Sequence, residues 1–393
     1  MKVLFVAQNL NMGGIQRALI NTIKMMRETH PDIDIDVFSF ASGELSSLMP
    51  DEVTISYAGR ALSLLLTPLG DIKKSGKTLN IITRYCLIIA AKLFGTDKVY
   101  RHLFKKQKKL CDYDVAISYF NDVFSGISNK GTNLFVSDFV EAEKKIAWIH
   151  TDPIKANFDV EKCAVLYKPF DKIVCVSNAI KKVFDEILPQ FTDKTCVVYN
   201  VFPSSEIIES ANEADVGFDK SICNLITVGR ADNSTKRIDR ALKVCSILKN
   251  RYGLSFKWRF IGDGPDLERN KQAATDENIA DTVEFLGNKS NPYPFVKNSD
   301  IFVLTSDYEG YPMVVCEAMI LGVPVVTTPF KAALEIIDDG VNGIVATNSP
   351  EDIAKRLATL IQNRELLSSM SLSLKNENGI NSKWREQINS ILD

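Results

Sequence analysis

Glu309 and Glu317 stand with seven residues between them in EGYPMVVCEAM, directly after the apolar run IFVLTS. A carboxylate accepts several O–H hydrogen bonds at once, so such a pair suits sugar hydroxyls. Glu309 falls in a loop, and Glu317 about a turn and a half inside the helix expected near 312–321. Pro312 is expected in the first turn of that helix, where its missing N–H is no loss. Gly322 suits the left-handed cap at its end. A helix N-terminus behind a glycine-bearing loop favours anions. Upstream, LITVGRADNSTKRIDRALKV (225–244) places Arg230 just after a strand and a glycine, and Lys236 at the start of the next helix. A guanidinium fork and an ammonium point charge both fit a diphosphate. Two cations there would offset the charge that builds as a bond to a leaving diphosphate breaks.

The elements that must position these groups alternate. Strand runs are read at 2–7, 33–40, 115–118, 144–150, 172–177 and 196–200, and again at 224–229, 257–262, 283–287, 301–306 and 324–328. Helical runs fall near 14–29, 236–251, 265–278, 312–321, 331–337 and 350–361. Short apolar strands spaced by helices argue for parallel sheets covered on both faces. At 393 residues, two domains are the natural expectation. The polar, irregular stretch near 200–220 marks their boundary. The fold class expected is α/β, two doubly wound Rossmann-like domains with ligands at the carboxyl ends of the strands.

Apolar residues make up 45% of the chain and charged residues 24%, which excludes a disordered or collagen-like chain. Lys+Arg number 47 and Asp+Glu 49, so no basic excess points to nucleic acid. The charge is uneven, however. Residues 60–109 hold 12 basic and 2 acidic groups, and within them KVYRHLFKKQKKL reads as a basic amphipathic helix. That segment suits an anionic acceptor or an anionic membrane surface. MKVLFVAQN reads as a strand rather than a secretory leader, and no run reaches the roughly 18 apolar residues of a spanning helix. The expectation is a cytoplasmic protein, at most peripheral on the inner face of the cell membrane.

Eight scattered cysteines form no C-x-x-C pair and read as free thiols. With three histidines, an imidazole-built metal site is not expected. PDIDID (31–36) resembles a metal-binding D-x-D, but alternation puts Asp32, Asp34 and Asp36 on one face of a half-exposed strand. No metal and no cofactor are expected.

With these motifs in order, the chain resembles the retaining GT-B glycosyltransferases of family 4. The matching stretches are the E-x7-E spacing, V-G-R with a following lysine, F-I-G-D-G-P (260–265), V-x-F-L-G (283–287) and the loop glycines in NMGGIQRAL. The closing SKWREQINSIL resembles the family's last helix. Where family members often carry Phe-Gly after the first glutamate, this chain has Gly310-Tyr311-Pro312.

The resemblance implies a GT-B arrangement, two Rossmann-like domains facing a cleft: an acceptor-side domain at 1–200, a nucleotide-sugar domain at 201–375, and a terminal helix at 376–393 packing back on the first. It implies a UDP-sugar or GDP-sugar donor and a glycan or lipid-linked acceptor in capsule, exopolysaccharide or lipopolysaccharide assembly. Arg230 and Lys236 match the pair that holds the diphosphate. Glu309 matches the residue on the transferred sugar, Glu317 the one on the ribose. Gly310, Tyr311, Met313 and Val314 would cradle phosphate or sugar through backbone N–H groups, and Gly287 would border the base. Gly13 and Gly14 would let the first-domain loop approach the diphosphate, and His150 matches a histidine beside the donor sugar. Two other readings fit the residues: a nucleotide-sugar epimerase of the same fold, and a noncatalytic module that binds sugar nucleotides or glycans.

Overall fold

The computed structural model describes residues 1–67, 69–74, 76–122, 131–376 and 379–392. The chain divides into two compact units, Met1–Val201 with Lys383–Asp393, and Phe202–Ser382.

The first unit is built on seven parallel strands: β1 (Lys2–Asn9), β2 (Asp34–Ala41), β3 (Thr54–Tyr57), β4 (Leu110–Ser118), β5 (Val140–Ile149), β6 (Lys172–Cys175) and β7 (Thr195–Val197). They lie in the order β3-β2-β1-β4-β5-β6-β7. Val3 to Ala7 of β1 are fully buried, as a central parallel strand covered on both faces requires. The order reverses between β1 and β4, so their carboxyl ends flank the switch point where such sheets bind ligands. The Lys383–Asp393 segment belongs to this unit. Its Gln387 side chain accepts from the Tyr199 amide, and Asn389 bonds His30.

The second unit carries β8 (Cys223–Val228), β9 (Phe256–Ile261), β10 (Val283–Gly287), β11 (Ile301–Leu304), β12 (Val325–Thr327) and β13 (Gly343–Val345), again all parallel. Their order is β10-β9-β8-β11-β12-β13, with the switch between β8 and β11. Trp258, Leu225, Val303 and the helix residues Leu242, Cys245 and Leu248 form its core.

Every strand run read from the sequence is present. The edge strands β3 and β13 are additional: β3 is mostly exposed and β13 is three residues opening on Gly343, so no apolar run marks either. Ile33 and Ile35 are buried while Asp32 and Asp34 are exposed, so PDIDID is a half-exposed strand start. All eight cysteines are free: five are buried, Cys111 and Cys196 are half-buried and Cys86 is exposed.

Two readings need correction. Pro312 is not in the first helical turn. It is the N-cap of the Met313–Ile320 helix, at φ −72° and ψ 107°. The basic helix also ends early. It runs Thr96–Phe104, and the run Lys105–Lys109 forms a turn into β4. Tyr100, Leu103 and Phe104 are buried, but the next apolar residue, Leu110, already belongs to β4, so nothing would anchor a further turn. Gln107 closes the turn, donating to the Leu103 carbonyl and accepting from the Gly59 amide. Pro68 and Ser75 of the basic segment, and residues 377, 378 and 393 of the terminal one, lie outside the described residues.

Candidate active site

In the second unit, the loops leaving β8 and β11 meet at the switch point. Thr305 Oγ1 donates to the carbonyls of Lys236 and Arg237 at 3.1 and 3.0 Å. The Asp307 amide donates to the Thr235 carbonyl at 2.9 Å. The two segments are thus joined at three points beside the functional side chains.

Charge reinforces the join. Asp307 accepts from Arg237 at 2.9 Å and from Arg240 at 2.5 Å. Burial works against the Asp307 charge, but these two arginines outweigh it and hold the carboxyl below its ordinary range. Arg240, with its side chain 7% exposed, also donates to the Thr305 carbonyl and to Asn348. Arg237 sits at φ +53°, a region that favours glycine, and caps the Ile238–Asn250 helix. Its guanidinium is held by Asp239 on one side and Asp307 on the other.

Lys236 emerges from this framework. Its Nζ lies 2.5 Å from Glu309 Oε1, and Ser306 Oγ donates to the same oxygen at 2.6 Å. The side chains are 20% and 13% exposed. Of the expected residues, these two are brought into direct contact. Arg230 is exposed at the end of β8. Glu317 lies on the Met313–Ile320 helix, nearly buried, and accepts from the Tyr293 hydroxyl at 3.1 Å.

Met313 and Val314 open that helix, where backbone N–H groups have no intrahelical acceptor. No side chain caps them, and the helix dipole makes this end electropositive. Gly310 and Tyr311 are half-buried just before it. Gly287 ends β10 at φ +67°.

The β8 loop is braced from the opposite side. A Cβ on Gly262 would lie 2.0 Å from the Gly229 carbonyl oxygen, and one on Gly264 2.4 Å from that of Ala231. Glycine at both positions lets the β9 exit lie against the β8 exit. There the Ala231 amide donates to the Asp263 carbonyl and the Asp266 amide to the Ala231 carbonyl. Asp263 itself serves the turn, accepting from the Gly264 amide.

In the first unit, Gly13 is extended backbone and caps the Gly14–Thr29 helix. A Cβ on Gly14 would meet nothing, and one on Gly13 only the mobile end of Gln16. The glycine that the chain path requires is Gly43, where a Cβ would lie 2.0 Å from the Leu10 backbone. His150 follows β5, 6% exposed, with its ring packed on Tyr119 and its amide donating to Asn121 Oδ1.

Sequence reading missed Thr305, Ser306, Asp307, Arg237, Arg240, Tyr293 and Gly43. Ser306 and Asp307 had a signal, as polar residues where an apolar strand ends. Arg240 and Tyr293 had none, since an arginine and a tyrosine on helices ordinarily read as surface and core. Among the described residues, no group of three or more His, Cys, Asp or Glu is placed to hold a metal ion, and no helix is long and apolar enough to cross a membrane.

Residues 209–376 match the family described as glycosyl transferases group 1. An uncharacterized glycosyltransferase of Methanocaldococcus jannaschii is 30% identical over 206 residues, 51% of this chain and 52% of that protein. The amylovoran biosynthesis glycosyltransferase AmsK of Erwinia amylovora is 35% identical over 135 residues, 32% of each chain. The chain spans about half the length of the first of these relatives. Among solved structures, Anabaena HepE in complex with UDP-glucose superposes with a TM-score of 0.69 at 18% identity, over 100% of this chain and 99% of that one. The lipopolysaccharide outer core galactosyltransferase WaaB gives 0.62 at 18% identity, with the same coverage. At these identities the likeness is one of fold.

Proposed function

The chain has the GT-B fold and is related to the group 1 glycosyl transferases, and from that premise we propose that it is a retaining, metal-independent glycosyltransferase. It would move a sugar from a UDP-sugar or GDP-sugar to a glycan or lipid-linked glycan in capsule, exopolysaccharide or lipopolysaccharide assembly. One observation carries the reading: Lys236 and Glu309 are paired at the switch point between β8 and β11, the place where this sheet type binds its ligand.

The roles follow from chemistry. Lys236 and Arg230 hold the diphosphate and offset its growing charge as the sugar leaves. The amides of Gly310, Tyr311, Met313 and Val314 face the same anion at the helix start. Glu309 accepts from sugar hydroxyls, Glu317 from the ribose, and Gly287 borders the base. Gly13, Gly14 and His150 of the first unit are donor contacts on the strength of the family resemblance. Retention follows if the acceptor hydroxyl attacks from the face the diphosphate leaves, passing its proton to a phosphate oxygen. HepE bound to UDP-glucose and the amylovoran biosynthesis relative favour this substrate class. The basic segment at 60–109 favours an acceptor, or a membrane, that is anionic.

Thermal shift against UDP, GDP and their sugars, with EDTA present, tests the reading. A ligand that binds only the folded state raises the midpoint. A metal-independent shift with one nucleotide, and sugar transfer that is lost in Arg230→Ala, are expected. Interconversion of the donor without acceptor would instead make the protein an epimerase. Binding without turnover of any kind would leave a noncatalytic module.

A further inference from the structure

The helix Thr78–Phe94 is mostly apolar, with Arg84 and Lys92 its only charged residues, a composition that ordinarily goes with burial. Here only one side is covered. Ala91 is buried, and the helix packs against the helices Arg60–Leu66, Leu69–Lys74 and Thr96–Phe104. The opposite side carries Leu79, Ile82, Tyr85, Ile89, Leu93 and Phe94, all between 46% and 72% exposed. Their spacing of three and four residues sets most of them in one stripe along a helix about 25 Å long. A contiguous apolar surface of this kind marks a site of interaction.

We propose that this stripe docks on an anionic lipid bilayer, the helix lying in the plane of the interface. Charge selects the occupant. The helix contains no Asp or Glu. Arg84 is turned inward to the Leu64 and Thr67 carbonyls, which leaves the outer side to apolar groups and to exposed Lys92. Lys73, Lys77 and Lys98 are exposed at the two ends. The surrounding 60–109 segment carries a net +10 in a chain whose net charge is −2. A second copy of the chain would set two such segments against each other. An anionic bilayer takes the apolar stripe into its acyl boundary and meets the lysines with headgroups. The apolar stripe is the inserting element, and the lysine run at 105–109 is not part of this helix. Within the basic segment, Arg101 and Lys109 are already paired with Asp138 and Glu141. This surface goes beyond the transferase reading and stands without it.

Cys86 supplies the assay, because it is the exposed one of the eight cysteines and lies in the stripe. An environment-sensitive fluorophore on Cys86 of the full chain is mixed with vesicles of pure phosphatidylcholine or of phosphatidylcholine with phosphatidylglycerol. A blue shift with the anionic vesicles alone is expected. Ile82→Glu and Ile89→Glu sit at exposed positions that leave folding intact. Each lowers the vesicle-bound fraction in co-sedimentation by about tenfold. No shift on anionic vesicles, an equal shift on both kinds, or binding untouched by both substitutions overturns the proposal. So does sedimentation showing a dimer that Ile89→Glu dissociates, which would make a second copy the occupant. No nucleotide sugar is present, so failure here is separate from failure of the transferase reading.

Discussion

Lys236→Met separates two roles that its ion pair with Glu309 could serve. The pair is short, at 2.5 Å, and its side chains are 20% and 13% exposed. Exposed pairs contribute about 0–1 kcal/mol, and breaking a fully buried one costs roughly 3–5 kcal/mol. This pair lies between those limits, and Ser306 still donates to the Glu309 left behind. A stability loss of about 2 kcal/mol follows. For a unit of this size that lowers the midpoint by roughly 4–8 °C. Removing a charge that stabilises a transition state costs more in rate, roughly 10²–10³-fold. Turnover of nucleotide sugar and thermal midpoint are measured on wild type, Lys236→Met, Glu309→Gln and the double variant. If Lys236 meets the diphosphate, turnover collapses while the fold survives, and the double variant recovers part of the stability but none of the rate. A midpoint loss with turnover unchanged would refute the argument and make the pair a structural pin.

Three further outcomes follow from the geometry. Asp307→Ala leaves Arg240 buried without its carboxylate and leaves Arg237 to Asp239 alone, so unfolding by denaturant should show a loss of about 3 kcal/mol. Asp307→Asn should recover part of it, and turnover should fall because the Lys236 and Glu309 loops lose their common anchor. Gly262→Ala places a Cβ against the Gly229 carbonyl at φ +137° and should cost several times the roughly 1 kcal/mol strain of Gly340→Ala, which is open to solvent; thermal unfolding compares them. Burial pushes the Asp122 carboxyl up to about 6, against hydrogen bonds from Leu134, Asn133 and Thr132. A carboxyl raised in the folded state contributes stability present below its ordinary value and lost as pH rises through about 6. The unfolding free energy of Asp122→Asn, read by denaturant at each pH, should therefore gain on wild type between pH 4 and pH 7, by on the order of 2–3 kcal/mol. A constant difference across that range would show that Asp122 does not ionise there.

Periodicity and end signals were enough for most of the fold. The central strands are continuous apolar runs because both faces are covered, and such runs are legible without partners. Gly322, at φ +73° just past the Met313–Ile320 helix, was legible for the same reason, since a local backbone demand selects a local residue type. β3 and β13 were not legible. They are strands because a neighbour offers them a ladder; the β3 residues are mostly exposed and β13 opens on a glycine, so neither shows an apolar run.

The site divides along the same line. Arg230, Lys236 and Glu309 could be named because each stands just past a strand end or before a helix start that the chain itself marks, and Glu317 by its spacing from Glu309. Nothing along the chain says that Lys236 Nζ lies against Glu309, 73 residues away, or that Asp307 is gripped by two arginines from the preceding helix start. Those contacts exist because parallel strands β8 and β11 are neighbours, and adjacency in a sheet is set by long-range packing. The Thr78–Phe94 helix makes the point from the other side. Its composition is mostly apolar, yet only the packing of its neighbours determines which of those residues are buried and which face outward.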